Sequence, residues 1–584
     1  MARALLQLGH LTEHLAESAW FAYTTIVLLQ LKITWGMWHY RDLTSGDTSS
    51  YFVTAYDWFT NGRTVIAWSP LYTTLYGSML ALSSDAYVAT TAHRMLIVLL
   101  LAVLVLALMR RLLPEPVAWA VAAWWVVSPI VFESRYEVHL FAVIPLLVVY
   151  LISLSKPGPR TRGAALGILL GSALLMRNEH IVVVALFGAI VLVYEVWRVK
   201  KRGAAAYPPS EYWRGYGLPV VVVCVLTLFF YSRAHDKIPV LFDVLRDKHT
   251  LNICQIYAFG YQQRHPEWLQ SPWTECAPLM VSTFGKPQPS LVEAVMRNPG
   301  AMWEHFVWNL SLIPNGLQVL LFNATSGTVN PDYTPVPTGW KYTLVCSVLL
   351  AALYLIGLYK LCRAWDYWWA HWLQLRVWGW VVMACPLVMV LCIMITQRPR
   401  PAYLFSLSLL MMAAAGFCGY VIAHQWSVYR YLSQCFAVPV VVLVLLCPSY
   451  YSLRASYYNA AQADRRFLLR DYRTLEPFQT LMRRPGTVLL TVDYAVELCN
   501  YLGIGDQNCQ AVSYETLQSQ VTNDTDWLSV LDKHGINLFY VDERVFDDPR
   551  RPTFISDPGA YGWETIGSQN AAGRRWMLLH KPRH

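Results

Sequence analysis

Long apolar runs with short polar punctuation fill most of this chain, and their spacing predicts about eleven membrane-spanning helices. An upright span needs roughly 20 apolar residues, and fewer where protein shelters it. The first covers about Trp20 to Trp38, the second Ala89 to Met109, the third Val117 to Phe132 and the fourth Val138 to Ile152. The fifth and sixth, Ala164 to Met176 and Ile181 to Val196, are short and hinge at Arg177-Asn178-Glu179-His180. The seventh covers Leu218 to Tyr231, and the eighth, beyond a long polar segment, Tyr342 to Leu361. Val377 to Ile395, Tyr403 to Ala423 and Phe436 to Tyr450 complete the set. From about Ser452 the pattern changes. Apolar residues now come in short runs, Thr487–Val492, Ile536–Val541 and Trp576–Leu579, with helical pieces at Tyr494–Leu502 and Asp526–His534. Strands alternating with helices predict a small α/β domain. The expected fold is mainly α: a polytopic helical bundle over 1–451, with outer loops 39–88 and 232–339, and an α/β domain over 452–584. No glycine-rich phosphate fingerprint follows the first strand of that domain, which makes it a lid or stabilising module rather than a nucleotide site.

Composition agrees with the pattern. Of 584 residues 55% are hydrophobic and 14% charged, against about 25% charged in soluble domains. The net charge of +9 does not point to nucleic acid, because the basic residues sit in short loops after spans two, four, six and eight. Positive-inside bias accounts for them. It places the N-terminus in the cytoplasm and the tail domain outside the inner (cytoplasmic) membrane. Residues 1 to 19 are too polar for a signal-peptide core and read as an amphipathic helix on the membrane or against the bundle. With this topology Trp38–Tyr76, ESRYE, RNEH, the 232–339 segment and QRPRP all fall on one outer face. Eight of the twelve cysteines lie in or at the ends of spans, where they act as small apolar residues. The other four form two local pairs on the outer side, Cys254 with Cys276 and Cys499 with Cys509, where an oxidising compartment permits disulfides.

The outer face is rich in groups that can do chemistry. Asp47, after Gly46, opens a loop-to-helix transition where an aspartate either caps the helix or works as a base. Asp42 and Asp57 are weaker candidates in the same loop, which also holds Tyr51, Arg63 and Tyr72. Glu137 stands where a span re-enters the membrane, with Glu133 and Arg135 as possible partners; ionisable groups at such depth tend to be functional or paired. Arg177 and Glu179 either pair with each other or present a guanidinium fork to a phosphate. Arg398 and Arg400, beside Tyr403, can do the same or anchor at the interface. Lys32, about two turns inside span one, snorkels or meets a lipid phosphate. Asp47, Glu137 and His139 can be assembled into a metal-ligand set, but no spacing compels it. No tightly bound cofactor or metal is expected, although a divalent cation is possible.

The motifs GDTSSYF…GR…WSPLYT, SRYEVHLF, RNE, MRNPGAMWEHFVWNL (296–310) and RPRPAYLFSLSLLMMAAAG occur in that order. The pattern resembles the GT-C glycosyltransferases, in particular bacterial relatives of protein O-mannosyltransferases and aminoarabinose transferases, over about residues 20 to 425. The resemblance implies that Asp47 matches the first-loop aspartate of the family, its catalytic base. The family often has Asp-Glu there, whereas Thr48 follows here. Its Arg-Pro-Glu stands here as Arg177-Asn178-Glu179.

The implied activity is inverting transfer of a hexose or pentose from a polyprenyl-phosphate donor to a hydroxyl of a glycan, lipid or protein acceptor at the outer surface of the bilayer. Glu137 and Glu179 would support, Arg177, Arg400 and Arg398 would hold the phosphate, and Tyr51 and Tyr72 would line the sugar pocket. Departing phosphate needs no protonation, so such a donor requires chiefly a base, unlike an ordinary glycoside. Two rival readings are a transporter or flippase of lipid-linked sugars and a polysaccharide polymerase or ligase using a diphosphate-linked donor. The first calls for broken helices at the midplane and internal repeats, which the sequence does not display.

Overall fold

The computed structural model describes residues 18–132, 137–154, 158–202, 209–234, 238–329, 331, 339–426, 435–457, 466–504, 508–521, 526–571 and 574–582. Most of the N-terminal amphipathic segment, Glu133, Arg135 and Lys156 lie outside the described residues. The described chain forms two compact units. One is drawn from Met1–Met37, Val65–Tyr72 and Arg94–Tyr457, the other from Trp38–Thr64, Thr73–His93 and Tyr458–His584.

The first unit is helical. Among the described residues, six helices in the chain are long and apolar enough to cross a membrane: Ala86–Leu112, His180–Lys201, Ser210–Ser232, Lys341–Arg363, Arg376–Thr396 and Pro401–Gln425. The expected eleven spans are therefore not all matched by helices of that length. The other apolar runs are helical but short, and the chain itself shows why. The run at Val117 is cut to Glu115–Val127 by Pro114 and by Ser128-Pro129. Its 13 residues reach only about 20 Å at 1.5 Å per residue, against about 30 Å of bilayer core. A residue preceding proline is steered away from helical backbone, which fixes the break.

Helix Pro159–Leu175 carries glycines at every fourth position, Gly163, Gly167 and Gly171. They let a neighbouring helix approach to backbone contact, as small residues do in membrane helices. A Cβ on Gly163 would stand 1.8 Å from the Gly215 carbonyl oxygen, and one on Gly167 2.7 Å from Pro219. A buried network locks the same helices together. Glu195 accepts from Arg162 Nε (3.0 Å), Arg198 Nε (3.0 Å) and the Tyr216 hydroxyl (2.8 Å). Helix Ile238–Arg264 is joined to helix Cys276–Phe284 by a Cys254–Cys276 disulfide, inside a small core with Tyr257, Met280 and Phe284.

The second unit holds a five-stranded sheet of order β2-β1-β3-β5-β4. The strands are β1 (Thr487–Thr491), β2 (Cys509–Ser513), β3 (Leu538–Val541), β4 (Glu564–Ala571) and β5 (Arg574–His580). β1 pairs parallel with β2 and β3, while β5 pairs antiparallel with β3 and β4. The sequence reading found β1, β3 and β5 and missed β2 and β4. Those two are the edges, and an edge strand need not carry the continuous apolar run of a strand buried on both sides. Val488, Leu490, Phe539 and Val541 face a core of Tyr514, Leu517, Trp527 and Trp563. On the opposite face Tyr540 donates to Asp471 Oδ1 (3.1 Å) on helix Phe467–Leu475.

The stretch around Asp47 folds with this sheet. The Asp42 carboxylate accepts from the backbone N–H groups of Leu468 (3.1 Å) and Leu469 (2.6 Å), capping helix Phe467–Leu475. Tyr501 donates to Thr44 O (2.7 Å), Asn500 to Ser49 Oγ (2.8 Å), and Gly46 N–H to Glu497 (2.9 Å). A second disulfide, Cys499–Cys509, closes the connection from β1 to β2.

Candidate functional site

Within the first unit, helix Pro159–Leu175 ends where Arg177 N–H turns back onto Ser172 O (2.9 Å). The next helix begins at His180, so Arg177 and Glu179 are presented on a tight hinge. Arg177 Nε donates to Glu179 Oε1 at 2.7 Å. Burial works against the Glu179 charge, yet the Arg177 guanidinium and backbone N–H donation hold its carboxyl below the ordinary carboxylate value. Helix Pro401–Gln425 starts with proline at its first position, where the missing N–H costs nothing. That start places Arg400 just before the helix and Tyr403 in its first turn.

These elements line a partly open pocket of about 340 Å³. It is lined by the polar side chains of His139, Arg177, Glu179, His180 and Tyr403 together with apolar Val143, Leu146, Met389, Ile393 and Phe405. The Tyr403 ring is the hub: the guanidinium carbons of Arg177 and Arg400 lie 6.0 and 5.5 Å from its centroid, and the His139 ring meets it edge-on at 4.8 Å. His180 Nδ1 is 2.7 Å from Ser172 Oγ, which fixes its ring. Two guanidinium groups thus converge on one ring with one carboxylate beside them. An anion is the ligand such a charge balance favours, and a planar fork suits phosphate.

Of the residues singled out in the sequence, Arg177, Glu179 and Tyr403 line this pocket together, with Arg400 against Tyr403. Arg398 lies over Phe259 (4.6 Å) and, with Arg400, lines a second cavity of about 210 Å³. Tyr72 is buried in the first unit, its ring 5.6 Å from that of Phe141. Lys32 donates to the carbonyls of Val444 (2.9 Å) and Leu445 near the end of helix Ala437–Leu446, where a cation suits the helix dipole. Glu137 is fully buried and pairs at 2.5 Å with the equally buried Arg94. In the second unit Asp47 is the exposed first residue of helix Asp47–Asn61, after Gly46 at φ 69°. Tyr51 on that helix is buried, and Arg63 beyond it is exposed.

His180 and Arg94 escaped the sequence reading as site residues, and His139 entered it only as one member of a possible metal-ligand set. Arg94 had a legible signal, an ionisable group inside an apolar span; its pairing 43 residues away had none. Among the described residues no group of three or more His, Cys, Asp or Glu side chains could hold a metal ion.

No protein-family profile matches the chain, and no curated protein matches it. Among solved structures it is similar to the Archaeoglobus fulgidus oligosaccharyltransferase in complex with zinc and sulfate. That similarity has 10% identity and a TM-score of 0.37, covering 89% of this chain and 68% of the other. For the apo form of the same enzyme the values are 12%, 0.32, 89% and 69%. Neither score reaches the level at which a shared fold is assigned.

Proposed function

We propose that this chain is a membrane glycosyltransferase that moves a sugar from a polyprenyl-phosphate carrier to an acceptor hydroxyl at the outer surface of the bilayer. The observation that carries the reading is the pocket lined by Arg177, Glu179, Tyr403 and apolar side chains, with Arg400 packed against the Tyr403 ring. A cationic end and a greasy body match a ligand that is a phosphate at one end and an isoprenoid at the other. The glycosyltransferase part rests also on the order of motifs in the sequence.

In the proposed reaction the Asp47 carboxylate takes the proton of the acceptor hydroxyl as its oxygen attacks the anomeric carbon. The bond from that carbon to the phosphate oxygen breaks, and the electron pair leaves with the phosphate. Direct displacement inverts the anomeric centre. Arg177 and Arg400 stabilise the charge that grows on the departing phosphate, and Glu179 keeps the Arg177 fork in place. Glu137, paired with Arg94, supports the wall rather than the proton transfer.

Purified protein given a radiolabelled polyprenyl-phosphate sugar should release free lipid phosphate and label the acceptor. Asp47→Asn should lower turnover about 10²- to 10⁴-fold, the range for a lost general base. Arg177→Ala should lower it by about 10²- to 10³-fold, as when one preorganised stabilising donor is removed. Undiminished turnover in either variant removes that residue from its role, and no release with any carrier sugar rejects the reading.

A further inference from the structure

Helices Leu291–Arg297 and Pro299–Ser311 lie between the spans Ser210–Ser232 and Lys341–Arg363, and their polarity is reversed. In Pro299–Ser311 the inward side carries Met302, His305 and Asn309, all buried. The outward side carries Trp303 (69% exposed), Val307 and Leu310, which the helical repeat sets in one stripe. In Leu291–Arg297 a second stripe, Val292, Val295 and Met296 (79% exposed), stands outside buried Ala294. The same repeat puts the charged residues on the flanks of both stripes, where each meets a partner. Glu293 lies 2.9 Å from Lys286 Nζ and Glu304 2.9 Å from Arg264 Nε, while Arg297 Nη1 donates to Phe284 O (3.2 Å).

The inward side fixes where the second helix sits. His305 Nε2 lies 3.0 Å from Thr396 O, and Asn309 Nδ2 donates to Ile395 O at 3.0 Å. Thr396 ends the span Arg376–Thr396, and the last carbonyls of a helix have no partner within it. Helix Pro299–Ser311 therefore lies across the end of a span, at the level where hydrocarbon gives way to headgroups. That span exposes Val388, Leu391 and Ile395, a stripe that runs up to the same end. Water is a poor partner for exposed apolar surface of this extent, which marks a membrane or a protein contact. A Trp-bearing apolar face with charges on its flanks, at headgroup depth, is the form of an interfacial membrane helix. Its continuity with the apolar stripe of the span selects lipid over protein.

We infer that Leu291–Ser311 is a lipid-binding surface that lies in the bilayer interface, with its two apolar stripes in the boundary between headgroups and acyl chains. The polar segment between the two spans is thus held down on the membrane at this end and does not stand free in water. Its partner is the lipid itself. The inference is independent of the proposed sugar transfer.

The test uses the full chain in phosphatidylcholine nanodiscs. Hydroxyl-radical footprinting of the unaltered chain, read by mass spectrometry, reports water at each side chain. Oxidation of Met296 and Trp303 should be lost, although both are largely exposed on the protein, while exposed Tyr561 of the second unit is oxidised. Photoreactive benzoylphenylalanine placed at position 303 should form an adduct with phosphatidylcholine. Val307→Glu should restore oxidation of Trp303, one turn away, with the unfolding midpoint unchanged, because a charge in the stripe turns it out of the lipid. Full oxidation of Met296 and Trp303 in the unaltered chain overturns the inference, and that result needs no variant to fold. Protection of both residues with a position-303 adduct to a second copy of the chain also overturns it, because the stripe is then a protein interface.

Discussion

Arg94 and Glu137 show how one pair of residues decides between catalysis and architecture. Both are essentially inaccessible, and the pair closes at 2.5 Å. Removing one partner of a buried pair leaves an uncompensated charge and costs about 3–5 kcal/mol, whereas replacing both by apolar groups is often neutral. Glu137→Leu should therefore lower the thermal unfolding midpoint in detergent sharply, and Arg94→Met with Glu137→Leu should recover most of the loss. A Glu137 acting in chemistry would instead lose activity with the midpoint unchanged. His305 makes a prediction about pH. Burial pushes its ring down to about 4, with the nearby Arg264 charge acting the same way and the Thr396 carbonyl opposing. In the unfolded chain it titrates near 6.5. Between these values the unfolded chain binds a proton that the folded chain does not, so stability rises with pH there. The contribution is complete above about 6.5 and is lost as pH falls toward about 4. His305→Asn should flatten the unfolding midpoint against pH across that window, and an unchanged slope would exclude His305 as its source.

The helices owe their lengths to punctuation and their pairing to small residues. Gly163 and Gly167 are in contact range of Gly215 and Pro219, so a larger side chain must push two backbones apart. Overpacking ordinarily costs about 1–3 kcal/mol, and a carbonyl 1.8 Å from the new Cβ puts Gly163→Val at the upper end or beyond. The expected outcome is a marked fall in the yield of monodisperse protein, with Gly171→Ala, whose neighbour Val223 is 3.7 Å away, nearly silent. Equal behaviour of the two variants would mean that the close approach is absent. The four-residue glycine spacing is plain in the sequence, but nothing local says which helix it meets. The edge strands β2 and β4 illustrate the converse: their polar residues conceal them until the neighbouring strand is known.

For the molecule as a whole, the segment holding Asp47 is not an independent loop. It folds as part of the unit that contains the sheet, tied by Asp42 to the helix at Phe467 and by Thr44, Gly46 and Ser49 to the residues around Tyr501. A chain truncated after Tyr457 should thus lose the order of 38–64, seen as rapid protease cleavage there, and should lose sugar transfer even though the arginine pocket is intact. Full activity of the truncated chain would show that the tail is dispensable. The sequence by itself determined that the chain is a membrane protein, where its helices lie, that a small α/β tail follows, and that Arg177, Glu179, Arg400 and Tyr403 deserve scrutiny. These are consequences of local composition, because the bilayer imposes a minimum apolar length and punishes stray charge. Only the tertiary structure decided how many helices are long enough, that Glu137 answers to Arg94, and that His139 joins the arginines at Tyr403. Each of those is a contact between residues distant in the chain, and burial, which sets their energies, has no value until the fold exists.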